Sequence, residues 1–228
     1  MSKDSVEDGI TSQLKEVQIS ENEDQHNLTF TNRDLYGGAI RINVPSKWRD
    51  VSMIRQVPDH QECFQDCTFQ DGSKKALEGT GACIIVEILG REDDVKDEDA
   101  ASFFFKDLAE ANGGEMGDLD YTSVQCVGGE KNNTDKNGIN MPSMARTVCV
   151  CSCIGDQSIA PLKNRTELEP GKGDSVKVEL CVIRLEKEET DILISLSMPH
   201  PSETYTSHSK LFLDILEGFQ IIDWSLFG

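Results

Sequence analysis

A short segment of the sequence concentrates charged and amide side chains around a proline. These side chains are Asp50, Arg55, Asp59, Gln61 and Glu62. Pro58 restricts the backbone of the preceding residue and stiffens the chain that leads into Asp59. A rigid loop of carboxylates loses little conformational freedom on binding, so it suits docking of a protein with basic groups.

A purely structural role is the alternative for this segment. Asp59 and Gln61 would then cap the turn, and Arg55 would pair with Asp50. Aspartate is common in turns because its side chain bonds to the nearby backbone. The residue types alone therefore favour the structural role over docking, without excluding docking.

A second set of reactive groups is the run Cys149, Cys151 and Cys153. Alternate residues of a strand share one face, so the three thiols would point the same way, about 6–7 Å apart. They could bind a soft metal with Cys126 or Cys181, or fill the core as small apolar side chains. We favour core filling, because the Cys-x-x-Cys pairs typical of structural zinc sites are absent.

Motifs of common enzymes are missing from the sequence. There is no Gly-Lys-Ser/Thr phosphate loop, no Gly-x-Ser-x-Gly elbow and no His-Glu-x-x-His pair. His60-Gln61-Glu62 has the His-x-Glu of zinc deaminases, but no Pro-Cys-x-x-Cys follows. Residues 133–138 imitate the start of a calcium loop, yet Met144 stands where a glutamate is required. We therefore predict no catalytic residue, no cofactor and no metal.

The charge balance argues against several partners. The chain has 228 residues, with 22 basic and 41 acidic side chains and a net charge of −19. Such a surface repels nucleic-acid phosphates and anionic membranes. No stretch is apolar enough to cross a bilayer, and residues 1–20 do not have the pattern of a secretory signal. We expect a reducing compartment and free thiols.

The order of predicted elements indicates an α+β fold, a central antiparallel β-sheet flanked by helices. Strands are predicted at 39–44, 62–69, 82–89 and 121–127, hairpins at 145–162 around Gly155-Asp156 and at 176–198, and helices at 100–111 and 207–217. Residues 1–33 are acidic and poor in large apolar groups, which predicts a disordered tail before a domain at 34–228.

The segment around Pro58 closely resembles the Ran-interacting Mog family, the Ran guanine nucleotide release factors. The matching residues are Leu35 to Ala39, Asp50-Val51-Ser52, Arg55, Val57-Pro58-Asp59, Gln61-Glu62 and Phe64, with further matches at Ile84, Val86, Glu87, Leu89, Asp191 to Ile194 and Asp223 to Gly228. The resemblance covers about 34–228. His60, Cys63 and Ile54 depart from the family pattern, and the loops at 66–81 and 128–142 are longer.

The resemblance implies a fold and a function. The fold would be a central antiparallel sheet with helices on both faces, shared with PsbP-like proteins. The chain would bind the small GTPase Ran as a monomer and promote release of its nucleotide without covalent chemistry. It would support nuclear protein import and be located in the nucleus and the cytoplasm. Asp59 and Glu62 would contact Ran, with Asp50, Arg55 and Gln61 in support.

Two alternatives use the same fold. One is an adaptor that binds a GTPase or a membrane-trafficking partner without accelerating nucleotide release. The other is a PsbP-like photosynthetic protein, which the acidic N-terminus disfavours because transit sequences are poor in acids.

Overall fold

The computed structural model describes residues 28–66, 68–69, 76–78, 81–127, 139, 141, 144–146, 148–159, 174–199 and 207–228. Most of the predicted acidic tail therefore lies outside the described residues. So do much of the loop at 66–81 and most of the loop at 128–142.

A seven-stranded antiparallel sheet organises the chain, with the strand order β3-β4-β7-β11-β10-β9-β8. Its strands are β3 (Arg49–Asp50), β4 (Gln61–Gln65), β7 (Cys83–Gly90), β8 (Met116–Val127), β9 (Val148–Ile159), β10 (Asp174–Leu185) and β11 (Thr190–Met198). The predicted hairpin at 176–198 is present, with Leu185 opposite Thr190 at its turn. The antiparallel α+β class is confirmed.

A smaller antiparallel sheet has the order β1-β2-β12. It consists of β1 (Phe30–Leu35), β2 (Ile40–Pro45) and β12 (Gln220–Ile221). A separate two-stranded pair joins β5 (Thr68–Phe69) to β6 (Ala76–Glu78). Strand β1 begins at Phe30, four residues before the predicted start of the domain.

Two apolar clusters cover opposite faces of the large sheet. Along β10, Val178, Leu180 and Val182 belong to one cluster, whereas Cys181 and Ile183 belong to the other. Successive side chains of a strand point to opposite faces, so this alternation shows that β10 is buried on both. The larger cluster also takes in the apolar residues of the small sheet.

Two α-helices pack onto this framework. Helix α1 (Asp97–Ala111) begins with acids at 97–99, whose negative charges stabilise the positive end of the helix dipole. The helix packs against β8, β9 and β10. Helix α2 (Lys210–Glu217) is capped by Ser209, whose hydroxyl accepts a hydrogen bond from the Phe212 amide. Among the described residues, neither helix has the length and apolarity needed to span a bilayer.

The prediction of a hairpin around Gly155-Asp156 is wrong. Strand β9 runs through these residues without a break and pairs with β8 and β10 on its two sides. A Cβ atom at Gly155 would lie 2.7 Å from the Asp118 carbonyl oxygen. The glycine therefore permits a close approach of two backbones rather than a turn.

Other predicted boundaries also shift. The loop given as 66–81 contains β6, and the strand predicted from 62 to 69 divides into β4 and β5. Strand β8 begins at Met116 rather than at Tyr121, and helix α1 begins at Asp97 rather than at Ala100. The last two elements are longer than the apolar pattern alone indicated.

The three neighbouring thiols face one side of β9. Cys151 and Cys153 are buried in the cluster beneath α1, and Cys149 is half-buried at its margin. Burial raises the pKa of the Cys153 thiol, so the group stays protonated. Within the described part of the chain, no cluster of three or more potential metal ligands occurs.

A buried guanidinium ties α1 to the sheet. Arg184 on β10 is 1% exposed and bonds to Asp191 at 3.1 Å and to Asp97 at 3.0 Å. It also donates to the carbonyl oxygens of Glu92 and Val95, at 2.7 and 2.6 Å. Burial alone would lower the pKa of Arg184, but hydrogen bonding and attraction to Asp191 and Asp97 raise it.

We predict that Arg184→Met destabilises the domain by about 3–5 kcal/mol, because the buried Asp191 loses its closest cation and keeps only Arg91, at 3.9 Å. Urea unfolding of wild type and variant measures the change. The double variant Arg184→Met/Asp191→Leu removes the orphaned charge, and we expect it to recover part of the loss. A double variant less stable than the single one would contradict this account.

A second buried charge holds the start of α2. Glu179 on β10 is fully buried and accepts a hydrogen bond of 2.7 Å from the Ser209 amide. His208 lies 3.1 Å and Lys177 3.3 Å from its carboxylate. Burial alone would raise the pKa of Glu179, but His208, Ser209 and Lys177 lower it below the usual value.

The lowered pKa predicts a pH dependence of stability. Ionised Glu179 contributes stability above about pH 4.5, its unfolded value, and the contribution is lost as the pH falls through the folded pKa. In urea unfolding, the difference between wild type and Glu179→Gln should therefore shrink at acid pH. Glu115→Gln, at an exposed site, is the control and should show no such trend. A wild-type advantage that grows on acidification would refute the assignment.

Candidate functional site

The predicted charged segment forms a corner on the surface between β3 and β4. We call residues 50–62 the acidic corner. The corner begins with a 3-10 turn at Val51–Met53. Further on, the backbone amide of Gln61 donates a hydrogen bond of 2.9 Å to the Pro58 carbonyl oxygen. Backbone hydrogen bonds thus fix a tight turn on each side of Pro58.

Asp50 acts as the cap of the first turn. Its carboxylate accepts hydrogen bonds from the Ser52 amide at 2.8 Å and from the Ser52 hydroxyl at 2.6 Å. The side chain is half-buried. Arg55 is exposed, and its guanidinium contacts the Cys63 thiol. Asp50 therefore caps the turn before Pro58, whereas the structural alternative gave the capping role to Asp59 and Gln61.

Glu62 connects the corner to the small sheet. Its Oε1 accepts a hydrogen bond of 3.0 Å from the Tyr36 amide, and the residue is half-buried. Tyr36 has a φ of +49°, and the two glycines after it also have positive φ values. A left-handed conformation is unfavourable for a tyrosine, so the bond to Glu62 helps to hold a strained turn.

The side-chain hydroxyl of Tyr36 forms a second set of contacts. It lies 2.8 Å from the Val86 carbonyl oxygen and 3.0 Å from that of His60. Burial, reinforced by the charges of Glu62 and Glu87, raises the pKa of Tyr36 and keeps the phenol protonated as a donor. The tyrosine thus spans from the small sheet to β7.

Gln61 and His60 both turn toward a carboxylate on β7. The side-chain nitrogen Nε2 of Gln61 donates a hydrogen bond of 2.7 Å to Glu87 Oε1, and His60 Nε2 lies 3.2 Å from the same oxygen. Gln61 is half-buried, whereas His60 is exposed. These contacts position the peptide that carries Asp59 by fixing the residues after it.

Asp59 is exposed, between Pro58 and the start of β4. The first turn of the same corner carries two exposed large apolar side chains: Met53 is 86% exposed and Ile54 is 50% exposed. An exposed carboxylate and exposed apolar side chains in one segment can supply both charge and contact area to a protein partner. Asp59 and the first turn are therefore accessible, and their residue types suit contact with a protein.

The sequence did not predict the role of several of these groups. Tyr36 and Glu87 were named only as residues that match the family, and both come to the corner from elements outside the segment. The tyrosine before two glycines was the one local sign of an unusual turn. Met53 and Ile54 could have been noticed as apolar residues on a short polar turn. The members of the segment at 50–62 lie in one corner because they are near neighbours in sequence, and their role in binding stays a prediction.

Comparison with known proteins bears on this geometry. The family described as "Ran-interacting Mog1 protein" matches residues 33–199. A Danio rerio protein named "Ran guanine nucleotide release factor" is 28% identical over 208 residues, covering 86% of this chain and 99% of that protein. The Saccharomyces cerevisiae "Nuclear import protein MOG1" is 26% identical over 222 residues, covering 89% of this chain and 88% of that protein.

A solved structure agrees in fold. The crystal structure of the Saccharomyces cerevisiae Ran-binding protein Mog1p superposes with a TM-score of 0.59 at 23% identity, covering 89% of this chain and all of that one. The family match extends over most of the sequence, including the acidic corner and the strands that hold it. This chain therefore belongs to the Ran-interacting Mog1 family.

Proposed function

We propose that this chain binds the small GTPase Ran and promotes release of its guanine nucleotide, in support of nuclear protein import. The observation that carries the proposal is an exposed, rigid acidic corner in a chain of the Ran-interacting Mog1 family. Relatives that align over nearly their whole length are named as release factors and nuclear import proteins.

We assign direct contact with Ran to Asp59 and Glu62. Asp59 is exposed and can form charge-assisted hydrogen bonds with a lysine or arginine of the partner. Glu62 uses Oε1 for the Tyr36 amide, so we assign Oε2 to the partner. Asp50, Arg55 and Gln61 support the site by capping the first turn, by contacting Cys63 and by bonding to Glu87.

Nucleotide release follows from differential affinity. A partner shifts an equilibrium only by binding one state more tightly than another, so the corner must prefer the nucleotide-free state of Ran. No covalent step is needed, which makes the chain a regulator rather than an enzyme. The net charge of −19 favours approach to a basic surface and disfavours nucleic acid.

The remaining features of the proposal concern the whole chain. We infer a monomer that acts in nucleus and cytoplasm, with an acidic tail at 1–33 and a single domain at 34–228. We also infer that helices cover both faces of the large sheet. The support is that α1 and α2 contribute to different apolar clusters.

An adaptor without exchange activity is the competing function. It would use the same corner to bind Ran but would leave the rate of nucleotide release unchanged. Release of labelled GDP from Ran, measured with and without the chain, separates the two. Binding without acceleration would overturn the release function while leaving the binding site intact.

We predict that Asp59→Ala raises the Kd for nucleotide-free Ran about ten-fold or more, equivalent to about 1.4 kcal/mol per decade, and slows nucleotide release in parallel. The matched control is Asp118→Ala, an exposed acid on β8 at the opposite edge of the sheet. Titration calorimetry and labelled-nucleotide release measure the two effects. Equal behaviour of both variants would remove Asp59 from the site.

For Glu62 we predict two separable losses. Glu62→Gln keeps an oxygen for the Tyr36 amide but removes the charge, so it should weaken Ran binding with little change in stability. Glu62→Ala removes both, and it should also lower the free energy of unfolding by about 1–3 kcal/mol, because the Tyr36 amide loses its acceptor. Unfolding in urea beside Ran titration measures both. Unchanged Ran affinity in Glu62→Gln would show that the residue is purely structural.

A further inference from the structure

Two cysteines lie diagonally across neighbouring strands at the end of the acidic corner: Cys63 pairs with Ile85, and Cys83 pairs with Gln65. Cys63 on β4 and Cys83 on β7 belong to neighbouring antiparallel strands, and their sulfur atoms are 3.3 Å apart. A disulfide needs a sulfur separation of about 2.0 Å, so bridging requires a shift of little more than an ångström. The strand pairing has therefore already brought the two sulfurs close to bonding distance.

The surroundings of Cys63 favour its reactive form. The hydrogen bond with Cys83 lowers the pKa of Cys63, and the nearby Arg55 guanidinium lowers it further, against the opposing effect of burial. A thiolate beside a cation is the nucleophilic form of cysteine. Cys63 is 4% exposed and Cys83 is half-buried, so a small oxidant can reach the pair at the Cys83 side.

Another pair of neighbouring thiols in the described chain lacks these properties. Cys149 and Cys151 have sulfurs 3.8 Å apart but are successive same-face residues on one strand, where a bridge would distort the backbone. Their mutual hydrogen bond and burial raise the pKa of Cys149, which suppresses the thiolate. This pair provides an internal comparison at similar distance.

We propose that Cys63 and Cys83 form a reversible disulfide when the protein meets a peroxide. The Cys63 thiolate attacks one peroxide oxygen, the O–O bond breaks, and Cys63 becomes a sulfenic acid while hydroxide leaves and takes up a proton as water. The Cys83 sulfur then attacks the Cys63 sulfur, the S–O bond breaks, and the hydroxyl leaves with the Cys83 proton as water. Two thiols lose two electrons and one peroxide becomes two waters.

Formation of this disulfide does not require Ran. Because Cys63 follows Glu62 directly and contacts Arg55, the bridge would form within the framework of the acidic corner. A dithiol in an expected reducing compartment would stay open at rest and close only under oxidising conditions.

The test is peptide mapping of the full-length chain after treatment with one equivalent of hydrogen peroxide and blocking of remaining thiols. Trypsin places Cys63 in residues 56–74 and Cys83 in residues 76–91. We expect these two peptides to be joined, at a mass two hydrogens below their sum, and to separate on reduction. Because Cys67 shares the first peptide, the same experiment on Cys67→Ser assigns the link to Cys63.

Two further variants make the result decisive. In Cys83→Ser, the sulfenic acid at Cys63 should persist and be trapped by dimedone, whereas Cys149→Ser should form the Cys63–Cys83 link like wild type. Loss of the link in Cys67→Ser, or a link from either peptide to another cysteine as the main product, would overturn the proposal. So would the absence of both link and dimedone adduct.

Discussion

The bond between the Tyr36 amide and the Glu62 carboxylate is the contact on which the shape of the acidic corner depends. It joins the turn after β1 to the first residues of β4, so it fastens the small sheet to the large one. Tyr36 adopts a left-handed backbone there, and its hydroxyl reaches the carbonyl oxygen of Val86 on β7. The backbone amide and the hydroxyl of one tyrosine thus connect the two sheets. Asp59 lies in the segment that these contacts hold.

Much of the fold follows from local sequence pattern. The hairpin of β10 and β11 was predictable because two long apolar runs flank a short charged turn, and α1 because acids precede an apolar stripe and Asn112 follows it. Gly155-Asp156 misled the prediction, because a glycine that permits turns also permits close packing of backbones. Only the neighbouring strand, more than thirty residues earlier, distinguishes these two uses.

The candidate site was predictable in location but not in its division of labour. The members of the acidic corner are close in sequence, so any fold would keep them together. Their partners are not: Glu62 bonds to Tyr36 and Gln61 to Glu87, each 26 residues away. Such pairings depend on strand register, which a single sequence does not specify, and so the separation of Asp59 from the more structural Asp50 emerges only in three dimensions.

The placement of β12 has a consequence for biosynthesis. Gln220 and Ile221 pair with Arg41 and Ile40, so the strand that follows Tyr36 receives its second neighbour from the far end of the domain. During translation, β1 and β2 leave the ribosome long before β12, and contacts of such sequence separation form late. The small sheet is completed only when this last strand has emerged, so in a polypeptide interrupted before Gln220 strand β2 would be paired on one side only.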